Sequence, residues 1–300
     1  MKNKISFLIL TYNESKHIKR CIESILSVAD KIYIMDSYSV DDTLDIISKY
    51  EKVEVKQNKF INHSMQFNYA LDTFNIDTDW VFRIDADEYI DKELTYFLLN
   101  NLNGIPRNVS GVYFNRYMTF MGKLLCHGGM SSYWMLRMWR TGFGRCESTW
   151  MDEHIILSGG GTIKANGKLI DDNLNNLSWW SHKHVDYSTR EAIDILSRER
   201  DASNNQLNGK WFGSKAERTR FFKEIYNKTP LFVRPFFYFF YRYFMMLGFL
   251  DGVQGFLWCI LQGFWYRFMV DAKVYEIKKT AKELNIDVVK VIKDKYGYEV

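Results

Sequence analysis

Short apolar runs alternating with amphipathic stretches constrain this chain more than any other feature. ISFLIL (5–10), KIYIM (31–35), VEVKQ (53–57) and WVFRI (80–84) read as strands. Unbroken apolar runs of this length suit parallel strands covered on both faces. Between the first two, Ile18, Cys21, Ile22, Ile25 and Leu26 recur at helical spacing, with Ser15 as the expected N-cap. Helical signals return from Thr43 and over 62–74. Strand and helix in alternation predict a mostly parallel α/β sheet with right-handed crossover helices.

Ligands of such sheets bind beyond the carboxyl ends of the strands. Those ends are TYNES (11–15), DSYS (36–39) and DADE (85–88), all polar and all expected along one edge. The stretch FRIDADEYI crowds Asp85, Asp87 and Glu88 directly behind a strand, with Asp91 close after. Carboxylates packed so closely cannot all stay ionised without a cation or a shared proton. Hard oxygen donors select Mg²⁺ or Mn²⁺, which keep few protein ligands and complete their shell with water and phosphate. An acidic turn with no ligand is the alternative for an Asp-x-Asp pair. Asp36, ending the second strand, is placed to accept from a ribose or base, or is merely a polar terminus. TYNES offers no glycine for close pyrophosphate approach, which speaks against NAD-type chemistry. A dehalogenase-type phosphatase would carry its aspartates after the first strand, not the fourth.

The series SFLILTYNES, IYIMDSYSVDDT, QFNYAL and DWVFRIDADE resembles the family 2 glycosyltransferases of GT-A fold, over residues 4–200. LLCHGGM, LRMWRTG and WMDEH resemble the bacterial branch that builds lipopolysaccharide core and exopolysaccharide. The resemblance implies an inverting transfer from a UDP-sugar. Thr11, Tyr12, Asn13 and Glu14 would line the uridine pocket, with Asp36 on base or ribose. Asp85 would face ribose or metal, and Asp87 would be the principal ligand of Mn²⁺ or Mg²⁺. Inversion needs a general base for the acceptor hydroxyl. WMDEHI (150–155) supplies Glu153, with Asp152 as the alternative and a solvent-facing acidic loop as the bland one. A histidine often completes such a metal site; His184 in SHKH is the candidate, with His154 and His182 beside it, and a satisfied structural histidine fits as well. Arg137 and Arg140 would hold phosphate or acceptor, or form the polar face of a strand. His127, Gly128 and Gly129 suit an acceptor-side turn or a plain glycine turn. Two rivals remain open: a non-catalytic scaffold of a polysaccharide assembly complex, and a sugar nucleotidyltransferase.

The expected division is a catalytic domain over 1–205 and a helical membrane-association region over 206–300. Between Lys210 and Arg242 stand eight Lys/Arg against two Glu, and sixteen of the 37 residues from Phe232 to Phe268 are aromatic. The longest uncharged run there, Gly252 to Tyr266, is 15 residues, too short to span a bilayer. Aromatic and basic side chains suit helices lying in the interface, although a buried helical pair is the alternative. The expectation is monotopic docking on the cytoplasmic face of the bacterial inner membrane, with a lipid-linked oligosaccharide as acceptor. The net charge of +4 gives no reason to expect nucleic acid. Cysteines 21, 126, 146 and 259 are scattered, as free thiols in a reducing compartment would be. The opening MKNKISFLIL lacks the length and cleavage site of a signal peptide, which fits a cytosol-facing protein.

Overall fold

The computed structural model describes residues 3–130, 132–147, 154–201 and 229–298. Its Cα packing divides the chain into two units. The first comprises residues 1–126 and 130–174; the second comprises 127–129 and 175–300.

In the first unit, strands β1 (Ile5–Thr11), β2 (Lys31–Asp36), β3 (Val53–Gln57) and β4 (Trp80–Arg83) pair in parallel, in the order β3-β2-β1-β4. Their apolar runs are continuous because both faces are covered. Phe7, Ile9, Ile32, Ile34 and Phe82 belong to one core, packed with Ile18, Ile22 and Ile25 of helix α1 (Ile18–Ile25). Leu8, Tyr33, Met35 and Val81 belong to another, packed with Phe67 and Ala70 of α3 (His63–Thr73). Each such side chain contributes about 1.5–3 kcal/mol by leaving water. A short helix α2 (Thr43–Ile47) lies between β2 and β3 in the chain.

Beyond β4 the sheet departs from the expected mostly parallel form. After the short β5 (Glu88–Ile90) come β6 (Val109–Phe120), β7 (Lys123–Leu125), β8 (Tyr133–Arg140), β9 (Gly144–Cys146), β10 (Ile155–Leu157) and β11 (Gly161–Asp171). β8 pairs antiparallel to both β4 and β6, β11 runs parallel to β6, and β5 pairs antiparallel to β11. The sheet is therefore mixed, and its added strands bring side chains from 109–171 to the edge where DADE ends. The N-cap of α1 is His17, not Ser15, and Glu14 O accepts from the amides of both His17 and Ile18. Asp91 proves to be the N-cap of α4 (Lys92–Asn100). It accepts from Leu94 N at 2.8 Å and Lys168 N at 3.0 Å, and so leaves the carboxylate cluster. Gly167, at φ +101°, lets β11 pass α4 closely: a Cβ there would lie 2.4 Å from Leu94 Cα.

The second unit is helical. Its first helix is α5 (Leu177–Asp201), which falls inside the expected catalytic domain of 1–205. Its Ala192, Ile193 and Leu196 form a core with Val270, Val274 and Ile277 of α8 (Tyr266–Leu284). The expected boundary at 205 therefore cuts behind a helix that packs forward into the second unit. The aromatic stretch forms α6 (Arg234–Phe240), a π-helical turn (Tyr241–Met245), a 3-10 turn (Gly248–Asp251), α7 (Gly252–Trp258) and a second π-helical segment (Cys259–Trp265). Helix α9 (Val288–Tyr296) ends the described chain. No single helix among the described residues is long and apolar enough to cross a membrane. Arg234–Met245 and Gly248–Leu284 pass that test only together, and they are bent by 71°.

Candidate active site

The carboxyl ends of β1, β2 and β4 lie side by side, as the strand pairing requires: Thr11 pairs with Asp36, and Leu8 with Arg83. The Asp36 carboxylate is fully buried. It accepts from Thr11 Oγ1 (3.0 Å), Ser39 N (2.9 Å), Ser39 Oγ (2.5 Å) and Gln57 Nε2 (2.9 Å). Four donors use its lone pairs, so Asp36 orders two loops and does not offer a free acceptor to a base or ribose. On those loops Asn13 and Tyr38 adopt positive φ (55° and 61°), and Tyr12 and Tyr38 stand exposed. Asn13 reaches across, its amide donating to Ser39 Oγ and its Oδ1 accepting from Val40 N. Glu14 holds the buried His17, whose Nδ1–H donates to Oε2 at 2.6 Å while Nε2 accepts from Leu174 N. Tyr38, exposed on the loop after β2, carries no sequence signal beyond its place in a short polar loop.

The crowding of like charge in DADE is resolved mainly by arginines. Arg137 on β8 donates to Asp85 Oδ2 at 2.8 Å and to Glu88 Oε1 at 2.7 Å; Arg83 Nε lies 3.5 Å from Asp85 Oδ1. Arg116 on β6 donates to Glu88 Oε1 and Asp171 Oδ2, both at 2.5 Å. Burial pushes the Asp85 carboxyl up, but Arg137 and Arg83 outweigh it and hold it well below the usual range. Glu88, wholly buried, is raised by burial against the pull of Arg137. Burial also pushes Asp171 to about 7, with Arg116 opposing and Asp87 reinforcing. Arg140, by contrast, is structural: it lies over the Trp80 ring and donates to the carbonyls of Val109 and Pro106. Asp85 is thus committed to arginine rather than to a metal.

Asp87 differs. It has no Lys, Arg or His partner among the described residues, and only Asn173 Nδ2 donates to its side chain, at 3.2 Å. Arg20 on α1 fixes its backbone carbonyl while also pairing with Asp172. The 171–173 segment, Asp-Asp-Asn at the end of β11, was not singled out as a site by sequence; its only signal was polarity at a strand terminus. Cys21, beneath the cluster, donates to Asp85 O, and burial with the nearby acids pushes its thiol up.

No three His, Cys, Asp or Glu side chains among the described residues are gathered to hold one metal ion. His184 belongs to the second unit, stacked 3.6 Å from Trp180 with Nδ1–H donating to Trp180 O. Burial there lowers its pKa. His182 likewise bonds a backbone carbonyl, of Ser178. Asp152 and Glu153 lie outside the described residues; His154 just after them is exposed, its carbonyl accepting from Glu147 N. One carboxylate with a spare oxygen does fit a Mg²⁺ or Mn²⁺ whose other ligands are water and phosphate.

A carboxylate with no cationic side-chain partner among the described residues, at the edge of such a sheet, suits the handling of a departing diphosphate. Residues 6–160, just over half the chain, match the model of glycosyl transferase family 2, and the chain belongs to that family. The lipopolysaccharide core biosynthesis glycosyltransferase LpsC of Rhizobium meliloti is 26% identical over 291 residues, 95% of this chain and 97% of LpsC. The SPbeta prophage-derived glycosyltransferase SunS of Bacillus subtilis is 41% identical over 88 residues, 28% of this chain. The chain spans only a fifth of the length of SunS. Among solved structures, S. aureus TarS 1-349 in complex with UDP-GlcNAc is similar over 94% of this chain and 92% of that one, at 13% identity and a TM-score of 0.41.

Proposed function

We propose that the enzyme transfers a sugar from a UDP-sugar, with inversion, to a lipid-linked glycan in bacterial cell-surface polysaccharide assembly. The observation that carries this reading is Asp87, the one carboxylate of DADE without a cationic partner. A divalent ion held by Asp87 would neutralise the diphosphate as it leaves. The protein's own part is to present that oxygen: Asn173 and Arg20 fix Asp87, while Arg137 and Arg83 keep Asp85 ionised but occupied. Tyr12 and Tyr38 offer exposed rings for the base, and Glu153, or Asp152 in its place, takes the acceptor proton. The full-length likeness to LpsC favours a lipopolysaccharide-core acceptor.

The acceptor reading is supported by the second unit. Phe236, Phe237, Phe240, Phe244 and Met245 are exposed along α6 and the turn after it, and the preceding sequence is rich in Lys and Arg. Aromatic and basic groups so placed suit monotopic docking on the cytoplasmic leaflet of the inner membrane. A nucleotide-sugar panel with membrane lipid extract, with and without Mn²⁺, tests the reading. UDP release that depends on both extract and metal is expected. Pyrophosphate release from a nucleoside triphosphate and a sugar phosphate would replace it with nucleotidyl transfer.

A further inference from the structure

The second unit contains a buried cation that neither the sugar transfer nor the packing accounts for. Arg242, in the π-helical turn, is only 5% exposed. Its Nε donates to Gly128 O at 2.6 Å, and its guanidinium lies 5.6 Å from the Tyr238 ring centroid. No carboxylate among the described residues pairs with it, and its terminal nitrogens, which bond no described residue, are not sealed from solvent. An arginine so desolvated is costly unless an anion completes it.

The turn that supplies its acceptor also carries a histidine. Gly128 and Gly129 both adopt positive φ, which side-chain-bearing residues rarely do, so the glycine pair is what lets the turn present Gly128 O to Arg242. His127, next in the chain, is gripped by the buried Asp251, which accepts from its amide and its Nδ1–H, both at 2.8 Å. That bond fixes the tautomer and leaves Nε2 as the open end of a ring whose side chain is 37% exposed. The 3-10 turn that buries Asp251 exposes Phe249 and Leu250, with Leu247 and Val253 exposed on either side.

We propose that Arg242 and His127 form a binding site for the phosphate at the head of a membrane lipid, whose apolar chain lies over Leu247, Leu250 and Val253. The fork of the arginine supplies charge-assisted donors to a phosphate oxygen, and the open Nε2 of His127 adds a second polar contact. The shared chemistry is that of a phospholipid headgroup and of the phosphate in a lipid-linked acceptor. This site rests on the leaflet reading given above.

Sedimentation of the full chain with phosphatidylcholine vesicles tests it. One set carries phosphatidic acid, a phosphate monoester, and the other phosphatidylglycerol at matched surface charge. The wild type is expected to prefer phosphatidic acid by about tenfold, the worth of one or two charged hydrogen bonds. Arg242→Gln and the milder His127→Asn should erase that preference and leave phosphatidylglycerol binding unchanged, each variant keeping the wild-type melting temperature within a few degrees. If Arg242→Gln melts early, His127→Asn decides alone. Equal binding to both vesicle types by the wild type, or an intact preference in His127→Asn, overturns the site while sparing the leaflet reading. A wild type that ignores every vesicle defeats that reading first. Tight binding of inorganic phosphate alone, lost in Arg242→Gln, assigns the pocket to free phosphate and overturns the lipid headgroup.

Discussion

The two units handle buried charge in opposite ways. In the first, Arg116 and Arg137 meet three carboxylates from two chain segments, and the DADE carboxylate with no cationic partner among the described residues is Asp87. In the second, Arg234 is matched by the buried Asp271 at 2.7 Å, and the group left over is a cation, Arg242. Pairing is the rule for buried ions because an uncompensated one is expensive. On the readings proposed above, two side chains without an ionic partner would each receive a ligand of opposite sign, a metal at Asp87 and a phosphate at Arg242, whereas Asp36 is satisfied by four neutral donors.

The contrast breaks most readily at Asp87. Asp87→Ala should bring UDP-sugar turnover to background and abolish the Mn²⁺ dependence of UDP binding, read by UDP release and calorimetry. If turnover survives, the unpaired carboxylate is no metal ligand. Next in size, Glu153→Gln should lower turnover by about 10²–10⁴-fold while UDP still binds; if Asp152→Asn does this instead, the base is Asp152. Arg137→Met leaves Asp85 and Glu88 with one fewer cation and should cost about 3–5 kcal/mol of stability, measured by denaturant unfolding. Arg140→Met, which removes no carboxylate's partner, should cost clearly less.

Smaller effects sharpen the comparison. Asp171 has a carboxyl raised to about 7 and feels Asp87. Its ionisation adds negative charge beside the diphosphate site, so UDP affinity without metal should fall as pH rises through about 7, and Asp171→Asn should flatten that slope. Phe236→Ser with Phe237→Ser should weaken vesicle binding several-fold and leave the melting temperature unchanged, since both rings are exposed.

Much of this was legible in the residues. β1 to β4 announce themselves because strands covered on both faces must be apolar throughout, and family 2 motifs mark their ends. The partners of DADE were not legible. Arg116 and Arg137 lie 28 and 49 residues from Glu88, on strands whose antiparallel pairing no local pattern dictates. The missing positive charge was inferred to be a metal when most of it was arginine. Asp91 was readable as a cap, standing three residues before Leu94 at the head of an amphipathic run. His184 shows the opposite limit: its sequence context suggests coordination, while its ring is committed to stacking on Trp180.

The saturated carboxylate of Asp36 has a consequence for evolvability. With that anion locked inside the sheet edge, recognition of a nucleobase on the proposed reading would fall to main-chain groups and to Tyr12 and Tyr38. Donor preference in this enzyme should then be retuned by reshaping the two loops, and swapping the acid itself should collapse their shape before it changes which nucleotide is accepted.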